Sequence, residues 1–235
     1  MNLRTFLDML IEVELSQHVF GSLNIDESLV KQLELINLIN RGLEQLHMRF
    51  IIKKGELIVS VNDSNKYRYD IKDENLILSP DNVQAIIKVL EVWDSCGNPI
   101  GIDTLHRSKG YYVDKEESVQ RVNQTTLMFN NCCGYYHIVY QQGPNLIKKP
   151  IEGEEFLPEL VELDIPMEFI DALIYYVSSR LFSINPPMDG NAAAYSSGIV
   201  YTKRYEEELA RLKDLNLEID GVGDTLQRFN DSRFP

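Results

Sequence analysis

The residues able to do chemistry in this chain are four histidines, three cysteines and a run of carboxylates. The histidines are His18, His47, His106 and His137, the cysteines are Cys96 and the adjoining Cys132 and Cys133, and the acidic run comprises Glu152, Glu154, Glu155, Glu159, Glu162 and Asp164. Such groups could serve as metal ligands, as thiol nucleophiles or redox groups, or as magnesium ligands of a nuclease-like centre. Their spacing supports none of these. The histidines lie far apart, with no H-E-x-x-H pair to set two of them on one helix face and no C-x-x-C companion. Cys132 and Cys133 are too close to form an unstrained disulfide, and only distant lysines could lower a thiol pKa. No G-x-S-x-G elbow or triad order occurs, and there is no G-x-x-x-x-G-K-[ST] loop to cradle phosphates. Gly221-Val222-Gly223 lacks a third glycine and follows a helical pattern. The acidic run reads as a solvated face, and His47, on the apolar side of a helical pattern, as a packed or interhelical hydrogen-bonding residue. We therefore expect no catalytic residue, cofactor or metal site.

Two other groups of residues point to contacts rather than reactions. Tyr175, Tyr176, Tyr195, Tyr201 and Tyr205 all fall in a C-terminal pair of helical patterns. Tyrosine suits an interface, and equally the rim of a helical core with its hydroxyl in water. Phe229, Arg233 and Phe234 are scattered among polar residues in the last fifteen or so positions, too few apolar groups to fold alone. This segment reads either as a frayed terminus or as an arm carrying aromatic anchors for a partner.

The elements that must position these groups come from a globular composition. The 235 residues are 44% hydrophobic and carry 36 acidic against 23 basic side chains, a net charge of −13. A chain with pI near 4.8 is repelled by phosphates, so a protein gripping DNA through a basic face is excluded. No signal peptide or membrane-spanning run is expected, and the cysteine usage fits a reducing compartment.

The first fifty residues read as two helices. Phe6, Met9, Leu10, Val13 and His18 set the first, Gly21-Ser22 breaks it, and Asp26 can cap the second. Leu29, Leu33, Ile36, Ile39, Leu43, Leu46 and Phe50 recur at helical steps while Val30, Leu35 and Leu38 lie off that stripe, so the helix is buried on more than one side. Strand signals follow at Ile51 to Val61, Tyr67 to Ile71 and Leu76 to Leu78. Helix and strand compete over Ala85 to Trp93; the β-branched residues favour a strand, and Asp94 to Pro99 forms a turn into Ile100-Gly101-Ile102, making a hairpin. Residues 103 to 133 are polar and weakly periodic, and strands return at Tyr135 to Tyr140 and Leu160 to Asp164. A helix begins after Pro166 with Met167, Ile170, Ile174, Val177 and Leu181 on one stripe, and a last helix carries Tyr201, Tyr205, Leu209 and Leu212. The expected fold is α+β: a helical bundle lobe built from residues 1–50 and 166–220, an inserted antiparallel β lobe over 51–165, and an extended C-terminal arm over 221–235.

This layout resembles the head-to-tail adaptor (connector) proteins of short-tailed bacteriophages, the tail tubular protein A type. The likeness rests on Leu38 to Phe50, which contains Asn40-Arg41-Gly42, and on Leu160 through Phe182, where Glu162-Leu163-Asp164-Ile165-Pro166 opens a helix. The chain departs from the family in lacking a glycine beside the aromatic after the second helix, and in its long polar stretch from Asp103 to Cys133.

The resemblance implies a structural protein of the virion head-tail junction, assembled in the host cytoplasm. It forms a ring of about twelve copies between the portal protein and the tail nozzle protein. Its activity is assembly, with DNA passing through without specific binding and no membrane involved. It makes Phe229, Arg233 and Phe234 portal-docking residues, the 80 to 140 region tail-facing, and Tyr175, Tyr176, Tyr201 and Tyr205 ring-interface residues. Around such a ring the charge would total on the order of −150, and acidic groups lining the lumen would keep DNA from adhering. The alternatives are a phage-encoded metal-dependent enzyme such as a nuclease, or a monomeric ligand-binding or regulatory α+β protein.

Overall fold

A computed structural model of the chain describes residues 1–11, 29–61, 68–72, 85–104, 119–129, 134–149, 156–184 and 192–215. These form four helices and two four-stranded sheets, an α+β fold. The chain divides into two compact units, one made by Met1–Phe50 with Pro144–Glu218, the other by Ile51–Gly143. No helix among the described residues is long and apolar enough to cross a membrane.

In the helical unit, α1 (Leu3–Met9) starts at Asn2, whose side-chain oxygen accepts from the Thr5 N–H at 2.8 Å and the Thr5 hydroxyl at 2.7 Å. Leu3, Phe6 and Leu7 are buried, and the described helix runs on only through a wider turn at Leu10 and Ile11. Val13, His18 and the capping Asp26 lie outside the described residues. Helix α2 (Leu29–Arg49) buries Ile36, Ile39, Leu43 and Leu46, and also Leu38 from off that stripe, as a helix enclosed on more than one side must. Helix α3 (Ile170–Ile184) follows a 3-10 turn, Met167–Phe169, that Pro166 precedes with φ −65°. Met167 does not join its buried stripe; it is exposed on that turn. Helix α4 (Ala192–Asp214) buries Tyr201, Tyr205, Leu209 and Leu212 and leaves Lys203, Arg204, Glu206, Glu207 and Arg211 outward.

Leu160 to Asp164 is not a strand of the β lobe. Pro158–Leu160 is a 3-10 turn, and the extended residues after it pair with the chain start: the Leu3 N–H donates to the Val161 carbonyl at 2.7 Å and the Leu163 N–H to the Met1 carbonyl at 2.9 Å. Asn40 adds a reciprocal pair with the Ile147 backbone, accepting its N–H and donating to its carbonyl, both at 2.9 Å. The described residues 144–149 and 156–165 thus group with the helices, and the inserted unit ends at Gly143 rather than at 165.

The β unit begins with β1 (Lys54–Val61), β2 (Arg68–Asp70), β3 (Ile86–Trp93), β4 (Pro99–Ile100) and β5 (Ile102–Thr104). It is completed by β6 (Val119–Arg121), β7 (Thr126–Phe129) and β8 (Gly134–Gln142). One sheet runs β1-β8-β3-β4 and the other β2-β7-β6-β5. All pairs are antiparallel except β5 with β6, which is parallel, so the lobe is not wholly antiparallel. Leu57, Val59, Val89, Val92, Ile138 and Tyr140 of the first sheet share one core with Tyr69, Val119, Leu127 and Phe129 of the second.

Residues 86 to 93 are a strand, and two register shifts against β8 break the alternation that makes their sequence ambiguous. The β3–β4 hairpin turns at Asp94, whose carboxylate accepts from the Cys96 and Asn98 N–H groups at 2.8 and 2.7 Å, with Gly97 at φ +82°. Bonds from Asn98, backbone and then side chain, hold the Asp94 carboxyl below its ordinary value of 3.8. The polar stretch beyond 103 holds strands the sequence conceals. They are three or four residues long, and β6 and β7 contribute one and two buried side chains, too few for a visible period.

The helical unit depends on one close approach. A Cβ on Gly42 would lie 2.5 Å from Leu173 Cδ1 and 2.9 Å from Tyr176 Cδ1 of α3. Ala would gain about 1 kcal/mol of helix propensity, offset by overpacking of about 1–3 kcal/mol. A β-branched residue gains less and clashes more. Gly42→Val should therefore lower stability by about 2 kcal/mol, read as loss of helical circular dichroism at lower denaturant.

Candidate interaction site

None of the described candidates for chemistry is assembled into a catalytic or metal-binding group. His47 is fully buried on α2 with Nε2 3.4 Å from the Asp164 carbonyl oxygen; Asp164 lies in the extended segment before α3, so His47 is a packed residue and this contact is not interhelical. His137 on β8 makes a surface pair with Glu56, Nε2 to Oε2 at 3.2 Å. His18, His106, Cys132, Cys133, Glu152, Glu154 and Glu155 lie outside the described residues, as do Phe229, Arg233 and Phe234. Glu159 and Glu162 are exposed, Asp164 is half-buried, and Cys96 is an exposed free thiol. Among the described residues no three His, Cys, Asp or Glu side chains are grouped to hold a metal ion.

The structure does bring the tyrosines together. Helices α3 and α4 pack through a ladder of rings in which Phe182 stacks on Tyr201 at 5.3 Å and Tyr176 meets Tyr205 edge-on at 5.5 Å and 63°. Tyr176, Tyr201 and Tyr205 are buried within their own chain, where their rings are part of the α3–α4 core. Tyr175 is half-buried, and of Tyr195 only its place on α4 is described.

Over these rings lie three arginines. Arg49, the last residue of α2, sits 6.0 Å from the Tyr205 centroid and Arg180 sits 5.5 Å from that of Tyr176. Arg204 spans Tyr201 at 5.6 Å and Tyr175 at 5.9 Å. Each such contact contributes about 0.5–1 kcal/mol at an exposed site. Two of the pairs carry a sequence signal, since Tyr176 and Arg180 are four apart and Tyr201 and Arg204 three apart on one helix. Arg49 and Tyr205 are brought together only by the fold.

The Tyr205 hydroxyl is buried with no hydrogen-bond partner. An unmade hydroxyl bond costs about 1–3 kcal/mol. Burial pushes this phenol above its ordinary 10.0; Arg49 pulls against the shift, Tyr176 adds to it and Arg180 opposes it. Cationic groups thus lie outward over buried rings, with the Tyr205 hydroxyl enclosed beneath them.

No protein-family model matches the chain, and no curated protein matches it in sequence.

Because the folded phenol holds its proton above the unfolded value, its contribution to stability is complete below pH 10.0 and is lost as pH rises through the folded pKa. Tyr205→Phe should remove one late-ionising phenol from the ultraviolet tyrosinate titration and flatten the alkaline fall in stability. At neutral pH it should leave stability unchanged or raise it by about 1 kcal/mol, because it deletes an unsatisfied hydroxyl.

Proposed function

We propose that the chain is a structural adaptor of a short-tailed bacteriophage virion, forming a ring between portal and tail nozzle that completes the head and conducts DNA during ejection. Its activity is assembly, not catalysis. The observation that carries this reading is the mutual packing of the two stretches that resemble the adaptor family. Leu38 to Phe50 and Leu160 through Phe182 meet at Gly42 against Leu173 and Tyr176, at His47 against Asp164, and at Phe50 against Phe169 with ring centroids 5.3 Å apart.

The same two stretches leave Met48, Leu160 and Met167 exposed by 62%, 77% and 71%. In the ring these apolar side chains are ones a neighbouring copy would cover. The net charge of −13 fits a conduit that DNA passes without adhering.

Mass photometry and negative-stain electron microscopy of the purified chain, alone and with its cognate portal ring, test this. Ring density on the portal is expected, and a chain that stays monomeric and does not cosediment with the portal overturns the reading. A chain lacking residues 221–235, and with them Phe229, Arg233 and Phe234, should keep its helix and strand signals but bind the portal more weakly. Unchanged cosedimentation would refute the docking role of that segment.

A further inference from the structure

We propose that Arg49, Tyr176, Arg180 and Tyr205 form a receptor for a carboxylate side chain presented by a second copy of the chain. The four residues come from three helices and meet around one ring pair. Tyr176 and Tyr205 touch edge-on at 5.5 Å, Arg180 covers the first ring at 5.5 Å and Arg49 covers the second at 6.0 Å. A guanidinium over an aromatic face is held through its plane, so its N–H groups, which lie in that plane, remain able to donate.

Neither arginine has a carboxylate partner among the described residues, although acidic side chains outnumber basic ones 36 to 23. Elsewhere in the helical unit Arg4 pairs with Asp8 at 3.2 Å and Arg211 with Glu208, while Arg41, like Arg49 and Arg180, has no carboxylate partner among the described residues. Two unpaired guanidiniums on touching rings, in so acidic a chain, form an arrangement that an anion completes. The second element is the Tyr205 hydroxyl, which is buried, has no partner, and lies on the ring under Arg49. Both arginines are exposed, so an incoming carboxylate meets their guanidiniums first, and reaches the phenol only if the side chains covering it move.

Two cations and one hydroxyl donor match a single carboxylate, which accepts two parallel bonds from one guanidinium and further bonds from the other and from the phenol. A strand of phosphates would instead require a row of cations and would meet the repulsion of a chain at −13. A second copy supplies carboxylates in excess. In a closed ring each copy sets one patch against a different patch of its neighbour, so receptor and carboxylate occur on every copy. The contact also offsets part of the repulsion between acidic copies. This inference rests on the ring-forming reading above.

The test uses the full chain with hexaglutamate peptide as the probe, titrated by calorimetry at low and raised salt. Saturable, salt-sensitive binding is expected. Replacing both arginines (R49Q/R180Q) should weaken it at least about tenfold, and Tyr205→Phe about threefold to tenfold, while that variant melts no lower than the parent. Arg180→Lys should recover part of the affinity, since it restores charge without the planar fork. In a second arm, the R49E/R180E chain should add fewer copies to the portal ring than the parent.

Absence of hexaglutamate binding, or equal binding by the parent, R49Q/R180Q and Y205F chains, overturns the receptor. Tighter competition by short duplex DNA than by hexaglutamate overturns the carboxylate assignment. Hexaglutamate binding with undiminished assembly of R49E/R180E overturns the second copy as the occupant. A parent chain that never assembles, with or without portal, fails the ring reading and the second-copy occupant together. The peptide titration then judges the receptor by itself.

Discussion

The helical unit depends on the absence of a side chain at Gly42. Leu173 and the Tyr176 ring occupy the volume a Cβ would take, which lets α2 and α3 approach closely enough to bury Ile39, Leu43, Leu46 and Leu173 completely. Further contacts repeat along the seam: the Asn40 pair with Ile147, His47 beside Asp164, and Phe50 edge-on to Phe169. Each joins residues more than one hundred positions apart, so the first fifty residues and the last third of the chain close on each other and the segment between them becomes an insertion. The entropy of closing that long loop is offset once, by a seam in which polar and apolar contacts alternate.

Inside the insertion the corresponding role falls to β8. It is hydrogen-bonded to β1 on one side and β3 on the other, and its Ile138 and Tyr140 enter the core shared by both sheets. The irregular register of β3 is stabilised from the second sheet's loop. The Val89 N–H donates to the Gln124 carbonyl at 3.1 Å, and Arg121 donates to the Val89 carbonyl at 3.4 Å. The disrupted ladder is thereby satisfied without a matching strand.

The tyrosines show how burial redirects a functional reading. Their density invites an interface, yet Tyr176, Tyr201 and Tyr205 spend their faces on one another, on Phe182 and on arginines. What the helical unit offers outward is the arginines above those rings, together with Met48, Leu160 and Met167. In the proposed ring such a surface would meet a neighbour through charge and apolar cover, with the aromatic layer beneath the guanidiniums.

The sequence by itself determined the elements that repeat a period long enough to read. The multiply buried α2, the stripe of α3, the Tyr201-Tyr205-Leu209-Leu212 face of α4 and the Asp94 hairpin all follow from local spacing and turn chemistry. It also carried the α+β class and the packed role of His47. Only the tertiary structure decided the rest. Strands of three or four residues such as β5, β6 and β7 have no period to detect, and the 160–164 segment pairs with Met1 and Leu3, which no local rule anticipates. The meeting of Arg49 with Tyr205 was likewise invisible, because a cation is attracted to whichever ring the fold sets beneath it, and that ring lies on another helix more than one hundred and fifty residues along the chain.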